Sequence, residues 1–136
     1  MASQAVVAAV NTRLEAAWTT LPVIGPNLQG EPPADGSAFL TVQYPVASEQ
    51  QKSIGAPAAN VWREEGAIRF VLAIERGQGV DQGLQWADAL RALFRGKQFS
   101  GVTTYAPSPP VIDDSNDDGL YWKLTFVVSY YFDIIG

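Results

Sequence analysis

Residues 63–96, REEGAIRFVLAIERGQGVDQGLQWADALRALFRG, decide how this chain is read. A polar turn at the start gives way to an alternating stretch, in which Ile68, Phe70, Leu72 and Ile74 fall on one face and Arg69 and Glu75 on the other. That is a half-buried strand. The period then changes. Trp86, Ala87, Leu90, Leu93 and Phe94 recur at helical spacing, and Gly96 supplies the residue that ends an amphipathic helix. Between them, Gly77-Gln78-Gly79-Val80-Asp81-Gln82-Gly83 is a strand-to-helix elbow with Asp81 as N-cap. Its third glycine is one residue late for a dinucleotide fingerprint, and no P-loop lysine follows.

Working outward, Ser3 caps a first helix that runs to about Thr20, with Val7, Val10, Leu14, Trp18 and Leu21 on one stripe and Pro22 as its stop. Residues 22–37 are proline- and glycine-rich and read as a loop. Phe39–Val46 is a strand with Leu40, Val42, Tyr44 and Val46 on the core face. Residues 47–61 form a polar connection longer than a hairpin needs, of the kind that carries function in compact domains. Phe99–Tyr105 reads as a third strand ending in a proline kink at 107–110. After a turn at 113–119 comes the strongest strand, Leu120–Phe132, with Leu120, Trp122, Leu124, Phe126, Val128, Tyr130 and Phe132 on one face. The opposite face, with Tyr121, Val127 and Tyr131, is apolar enough to be partly covered.

The expected fold is therefore α+β, in the order α-β-β-α-β-β. It has two layers, a four-stranded sheet that is largely antiparallel or mixed, and two helices packed on one of its faces. At 136 residues the chain is read as a single domain, 1–136, with enough length for its own core.

Composition removes several functional classes. There is no cysteine and no histidine, so disulfides, thiolate nucleophiles, Ser-His triads and most transition-metal sites are excluded. The absence of cysteine fits a cytoplasmic protein. A net charge of −5 argues against a protein that grips nucleic acid, which needs a basic face. No apolar run reaches the ~20 residues of a membrane helix. The N-terminus, with Arg13 and Glu15 inside its pattern, reads as a helix rather than a secretion signal.

The acidic constellations have structural readings. Asp114-Ser115-Asn116-Asp117-Asp118-Gly119 opens like a calcium loop, but the twelfth position is Thr125, not the bidentate glutamate that such loops use. A hairpin turn is the simpler reading. Glu64-Glu65 and the pair Glu75 with Asp88 are solvent-facing positions rather than catalytic carboxylates. Arg91, Arg95 and Lys97 complement the end of the second helix. Trp62 is the one tryptophan that no periodicity assigns to a core, which makes it the candidate interface anchor.

The element order, Arg63-x-x-Gly66-x-Ile68, the G-x-G before ADALRALFRG, and the closing DDGLYWKLTFVVSYYFD together resemble the tail-terminator family of long-tailed phages and related gene-transfer and prophage particles. The likeness spans roughly 1–133. It implies a structural virion protein, assembled in the host cytoplasm and located in the tail or neck, with no reaction and no cofactor. It implies a ring, hexameric in this family, that caps the head-proximal end of the tail tube. Such a ring ends tube polymerisation and offers a surface to the head completion or connector protein, and DNA transits its lumen. The expected partners are other copies of the chain, the major tail tube protein and the connector. On that basis Glu49, Gln50, Gln51, Lys52, Ile54, Trp62 and Arg63 are assigned to contacts with neighbours or tube. Asp113, Asp114, Asp117 and Asp118 are assigned to the lumen, where repulsion keeps DNA mobile. The competing readings are another neck ring protein, a cation-binding or carboxylate-dependent enzyme domain, and an unrelated α+β binding domain.

Overall fold

The structure, a computed structural model, describes residues 1–26, 36–77, 79–112 and 121–136. The elements run α1 (Gln4–Ala17), β1 (Val23–Ile24), β2 (Phe39–Gln51), β3 (Val61–Glu75), α2 (Asp81–Phe94), β4 (Gln98–Phe99), β5 (Val102–Pro107), β6 (Val111–Ile112) and β7 (Tyr121–Ile135). The strands form one sheet in the order β1-β2-β3-β7-β5-β4, with β6 also on β7.

The expected architecture is corrected by this result. The chain is mostly sheet: among the described residues it has seven strands rather than four, antiparallel except for the β1–β2 pair, curled into a half-barrel with two helices rather than a flat layer carrying both helices on one face. Three of the seven strands, β1, β4 and β6, are two residues long and owe their form to a long neighbour. β1 lies parallel to β2 through Val23 and Leu40, inside a stretch read as loop. β4 and β5 divide the expected third strand into a hairpin that turns at Ser100 and Gly101. Strands this short have no period of their own to read.

The three long strands hold the fold together. β3 pairs antiparallel with β2 on one side and with β7 on the other, from Val61–Ile135 to Glu75–Tyr121. Its even residues Ile68, Phe70, Leu72 and Ile74 are buried, as are Leu124, Phe126, Val128 and Tyr130 of β7. α1 adds Val6, Val10 and Leu14, and α2 adds Ala87, Leu90 and Phe94, to the same cluster. Phe70 stacks on Phe126 at 5.0 Å between centroids and meets Phe94 at the same distance. Burying each of these side chains contributes about 1.5–3 kcal/mol.

Two glycines make this packing possible. A Cβ on Gly83, in the first turn of α2, would stand 2.9 Å from Ile74 Cδ1 and 3.0 Å from Leu124 Cδ1, so its absence lets the helix approach the sheet closely. Gly66 plays the same part on β3, described below. α2 begins at Asp81 with Val80 as N-cap, so Asp81 is a first-turn residue rather than the cap, and its carboxylate accepts from Gln85 Nε2 at 3.0 Å. At the far end Gly96 takes φ 55°, the turn expected of it.

Two further expectations fail for identifiable reasons. Residues 47–51 continue β2 instead of opening a long loop, and Arg63–Gly66 is continuous strand rather than a polar turn. Their polarity reflects distance from the core, not irregular backbone. Val46 was assigned to the core face but is 57% exposed. The register shifts between Gln43 and Val46, and the extra residue of that bulge moves every later side chain of β2 to the other face. Pro45, which has no N–H to donate, sits inside the bulge.

Candidate functional site

Beyond the bulge, β2, β3 and β7 run on together; β5 borders β7 as far as Phe132, so the outer two rows form a three-stranded arm. Across the three strands the rows are Ala47–Gly66–Tyr130, Ser48–Glu65–Tyr131, Glu49–Glu64–Phe132, Gln50–Arg63–Asp133 and Gln51–Trp62–Ile134.

The arm is rooted in a buried carboxylate. Glu64 is only 6% exposed. Its Oε2 accepts the Tyr130 hydroxyl at 2.6 Å and the Ser3 backbone N–H at 3.2 Å. Ser3 is the N-cap residue of α1, so a negative charge on β3 meets the positive end of that helix. The Tyr130 phenol is pushed well above its ordinary value, first by burial and then by donating to Glu64. Tyr44 is buried nearby with no partner for its hydroxyl, and burial pushes its phenol up to about 12. The root closes only because residue 66 is glycine. A Cβ there would stand 2.5 Å from the Val46 carbonyl oxygen and 2.8 Å from the Tyr130 hydroxyl oxygen.

Further out the arm is fastened by surface contacts. Arg63 forms a bidentate pair with Asp133, at 2.7 Å through Nε and 2.9 Å through Nη2. Its guanidinium lies 4.1 Å from the Tyr131 ring centroid, and Tyr131 in turn stands 5.6 Å from Tyr105. The guanidinium holds the Asp133 carboxyl below the usual aspartate range, chiefly through these hydrogen bonds. At the tip, Trp62 Nε1 donates to the Gly136 carbonyl at 3.0 Å, and Asn60 and Gly136 exchange backbone hydrogen bonds. The turn joining β2 to β3 is tied by Lys52 N–H to the Val61 carbonyl, and by Val61 N–H to Ser53 Oγ at 2.8 Å. Large apolar side chains are left in solvent around it: Ile54 is 87% exposed and Ile135 72%.

The structure thus gathers Glu49, Gln50, Gln51, Lys52, Ile54, Trp62 and Arg63 at the outer half of one arm, on β2, its turn and the start of β3. Of these, Arg63 and Trp62 also hold the arm together, which reduces what they offer a partner. Asp113, Asp114, Asp117 and Asp118, with the calcium-like turn, lie outside the described residues. Sequence reasoning missed Glu64 as a buried anchor, because two adjacent glutamates read as solvated turn. It also ended the last strand at Phe132. The continued alternation through Asp133, Ile134 and Ile135 was the available signal.

No reaction chemistry converges on this arm. Glu64 and Glu65 point to opposite faces of β3, one buried and one exposed, so they form no pair. Asp88 is engaged by Arg91 at 3.1 Å. Among the described residues no three potential metal ligands come together. A cleft of about 490 Å³ lies between the start of α2 and the end of β3, lined by Ile74, Glu75, Gln82, Gly83 and Trp86 together with Pro22 and Ala38. Its lining carries one carboxylate, Glu75, and the hydroxyl residues Thr20 and Ser37. Among the described residues no helix is long and apolar enough to cross a membrane.

The described residues thus form a curled sheet with two helices, in which the outer end of β2, β3 and β7 leaves Ile54 and Ile135 exposed. The chain belongs to the phage tail terminator family, whose model, described as phage tail terminator protein, matches residues 5–130. It is accordingly a structural component of the virion tail that interacts with other tail components. One solved structure shares the fold at TM-score 0.62 and 21% identity, over 97% of this chain and 96% of its own. A search of the curated proteins gives no match.

Proposed function

We propose that the chain forms a closed ring, of six copies, on the head-proximal end of the tail tube. There it ends addition of tube subunits and presents a docking surface to the head completion or connector protein, while DNA passes through the lumen without specific binding. Membership of the tail terminator family carries this reading. The arm supports it, because apolar side chains such as Ile54 in the β2–β3 turn and Ile135 at the end of β7 are costly to leave in water and favourable once covered. In this reading Glu49, Gln50, Gln51, Lys52, Ile54, Trp62 and Arg63 meet a neighbouring copy or the tube. Asp113, Asp114, Asp117 and Asp118 line the lumen, where like charge keeps DNA sliding.

The test is native mass spectrometry of the purified chain over a concentration series, alone and with tail tube protein, beside negative-stain images. A six-fold species with a central hole that halts tube growth supports the proposal. A chain that stays monomeric in both conditions, or tubes that elongate past it, ends it.

A further inference from the structure

The arm leaves one flank of the sheet uncovered. β1 pairs with β2 only at Leu40 and Thr41, and among the described residues no strand lies against β2 further along. The Lys52 N–H donates to Val61, which fixes the alternation: Lys52, Gln50 and Ser48 turn their backbone groups towards β3. The N–H and C=O of Ala47, Glu49 and Gln51 therefore point outward as an open edge. At the other end of the sheet β4 is also an edge. Thr104 N–H donates to the Lys97 carbonyl and Gly96 N–H to Tyr105, so Gly96 and Lys97 face inward and Gln98 presents its backbone groups outward.

The two edges carry opposite charge. Glu49 lies exposed on the β2 edge. Arg95 and Lys97 flank β4, both exposed. Among the described residues none of the three forms an ion pair within the chain.

We propose that these edges pair between copies, the outward backbone of Ala47–Gln51 on one copy taking the Gly96–Phe99 segment of the next, with Glu49 set against Arg95 and Lys97. Because both halves sit on one chain at opposite ends of one sheet, the contact is head-to-tail, the kind that closes into a ring where the rotation between copies permits. It extends each sheet into its neighbour by strand addition. The inference rests on the ring reading and gives that ring its seam.

The test is charge exchange read by native mass spectrometry, with circular dichroism to confirm that each variant folds. Glu49→Lys and Lys97→Glu should each raise the concentration needed for assembly by about tenfold or more. The double variant should recover wild-type assembly. Glu49→Pro, which deletes an outward N–H and leaves the β3 ladder intact, should also block assembly. Rings that persist in both single variants would overturn the seam and leave the ring standing. Loss in the single variants without recovery in the double would do the same. A folded wild-type chain that never assembles, even with tail tube protein, would overturn ring and seam together.

Discussion

The Tyr130 hydroxyl donates to Glu64 Oε2 at 2.6 Å, and the same oxygen accepts the Ser3 backbone N–H at 3.2 Å. One carboxylate thus joins β3, β7 and the start of α1. Glu64→Ala would leave a buried phenol and a helix-end N–H without their acceptor, at a cost of about 1–3 kcal/mol. Glu64→Gln keeps an acceptor and should lose less. Urea unfolding of the two variants checks this. Negligible losses in both would mean that the charge and its hydrogen bonds contribute little at this root.

Gly66→Ala should be among the more damaging small substitutions in the protein. Its methyl would meet the Val46 carbonyl at 2.5 Å, a backbone atom that moves only if the strand pair moves. The expected loss is about 1–3 kcal/mol. A melting temperature within a degree of wild type would show that β2 yields there freely.

Alkaline pH should weaken the fold earlier than the composition suggests. Burial raises the Tyr44 phenol to about 12 and raises that of Tyr130 as well. The folded state therefore holds these protons more tightly than the unfolded chain, where a tyrosine titrates near ~10. The stability they contribute is complete below that value and is lost as pH rises through about 12. Tyr44→Phe removes a buried hydroxyl that has no partner. It should leave neutral stability unchanged or better and reduce the alkaline loss. A wild-type stability that stays flat from pH 9 to 12 would contradict this, with roughly that window set by the ordinary and raised values.

At the arm tip, stability and assembly should separate. Trp62→Ala should weaken association while the monomer stays folded, because its ring is half-exposed and its Nε1 bond is at the surface. Arg63→Ala should cost no more than about 1 kcal/mol of stability, since an exposed ion pair contributes little. Sedimentation and thermal melts of both variants give the comparison. Unchanged association in Trp62→Ala would remove that residue from the interface.

Neutralising Asp113, Asp114, Asp117 and Asp118 to asparagine should leave tails assembled and change DNA ejection. Blocked assembly would instead make the turn a contact.

The long elements were legible because each carries a full period. The even residues of β3 and β7 and the stripe of α2 announced the core in the order in which it packs. The short strands were not, since Val23–Ile24 and Val111–Ile112 become strands only through the neighbours that pair them. The arm was hidden for a different reason. Period-two reading detects a strand by its buried face, and residues 47–51 have no such face. The candidate contact residues were chosen for being polar and unpatterned. That criterion gathered residues at one end of β2 and β3 but missed Glu64, whose partners lie 66 and 61 residues away in sequence.

β3 runs without interruption for 15 residues, from the arm tip to the elbow before α2. At the rise of an extended strand that is a rod of roughly 50 Å. Its outer end holds Trp62 and its inner end, at Ile74, touches Gly83 of α2. Whatever seizes the tip pulls on a lever already braced along both sides by β2 and β7. A pull at the tip is thereby shared among three paired strands rather than borne by one.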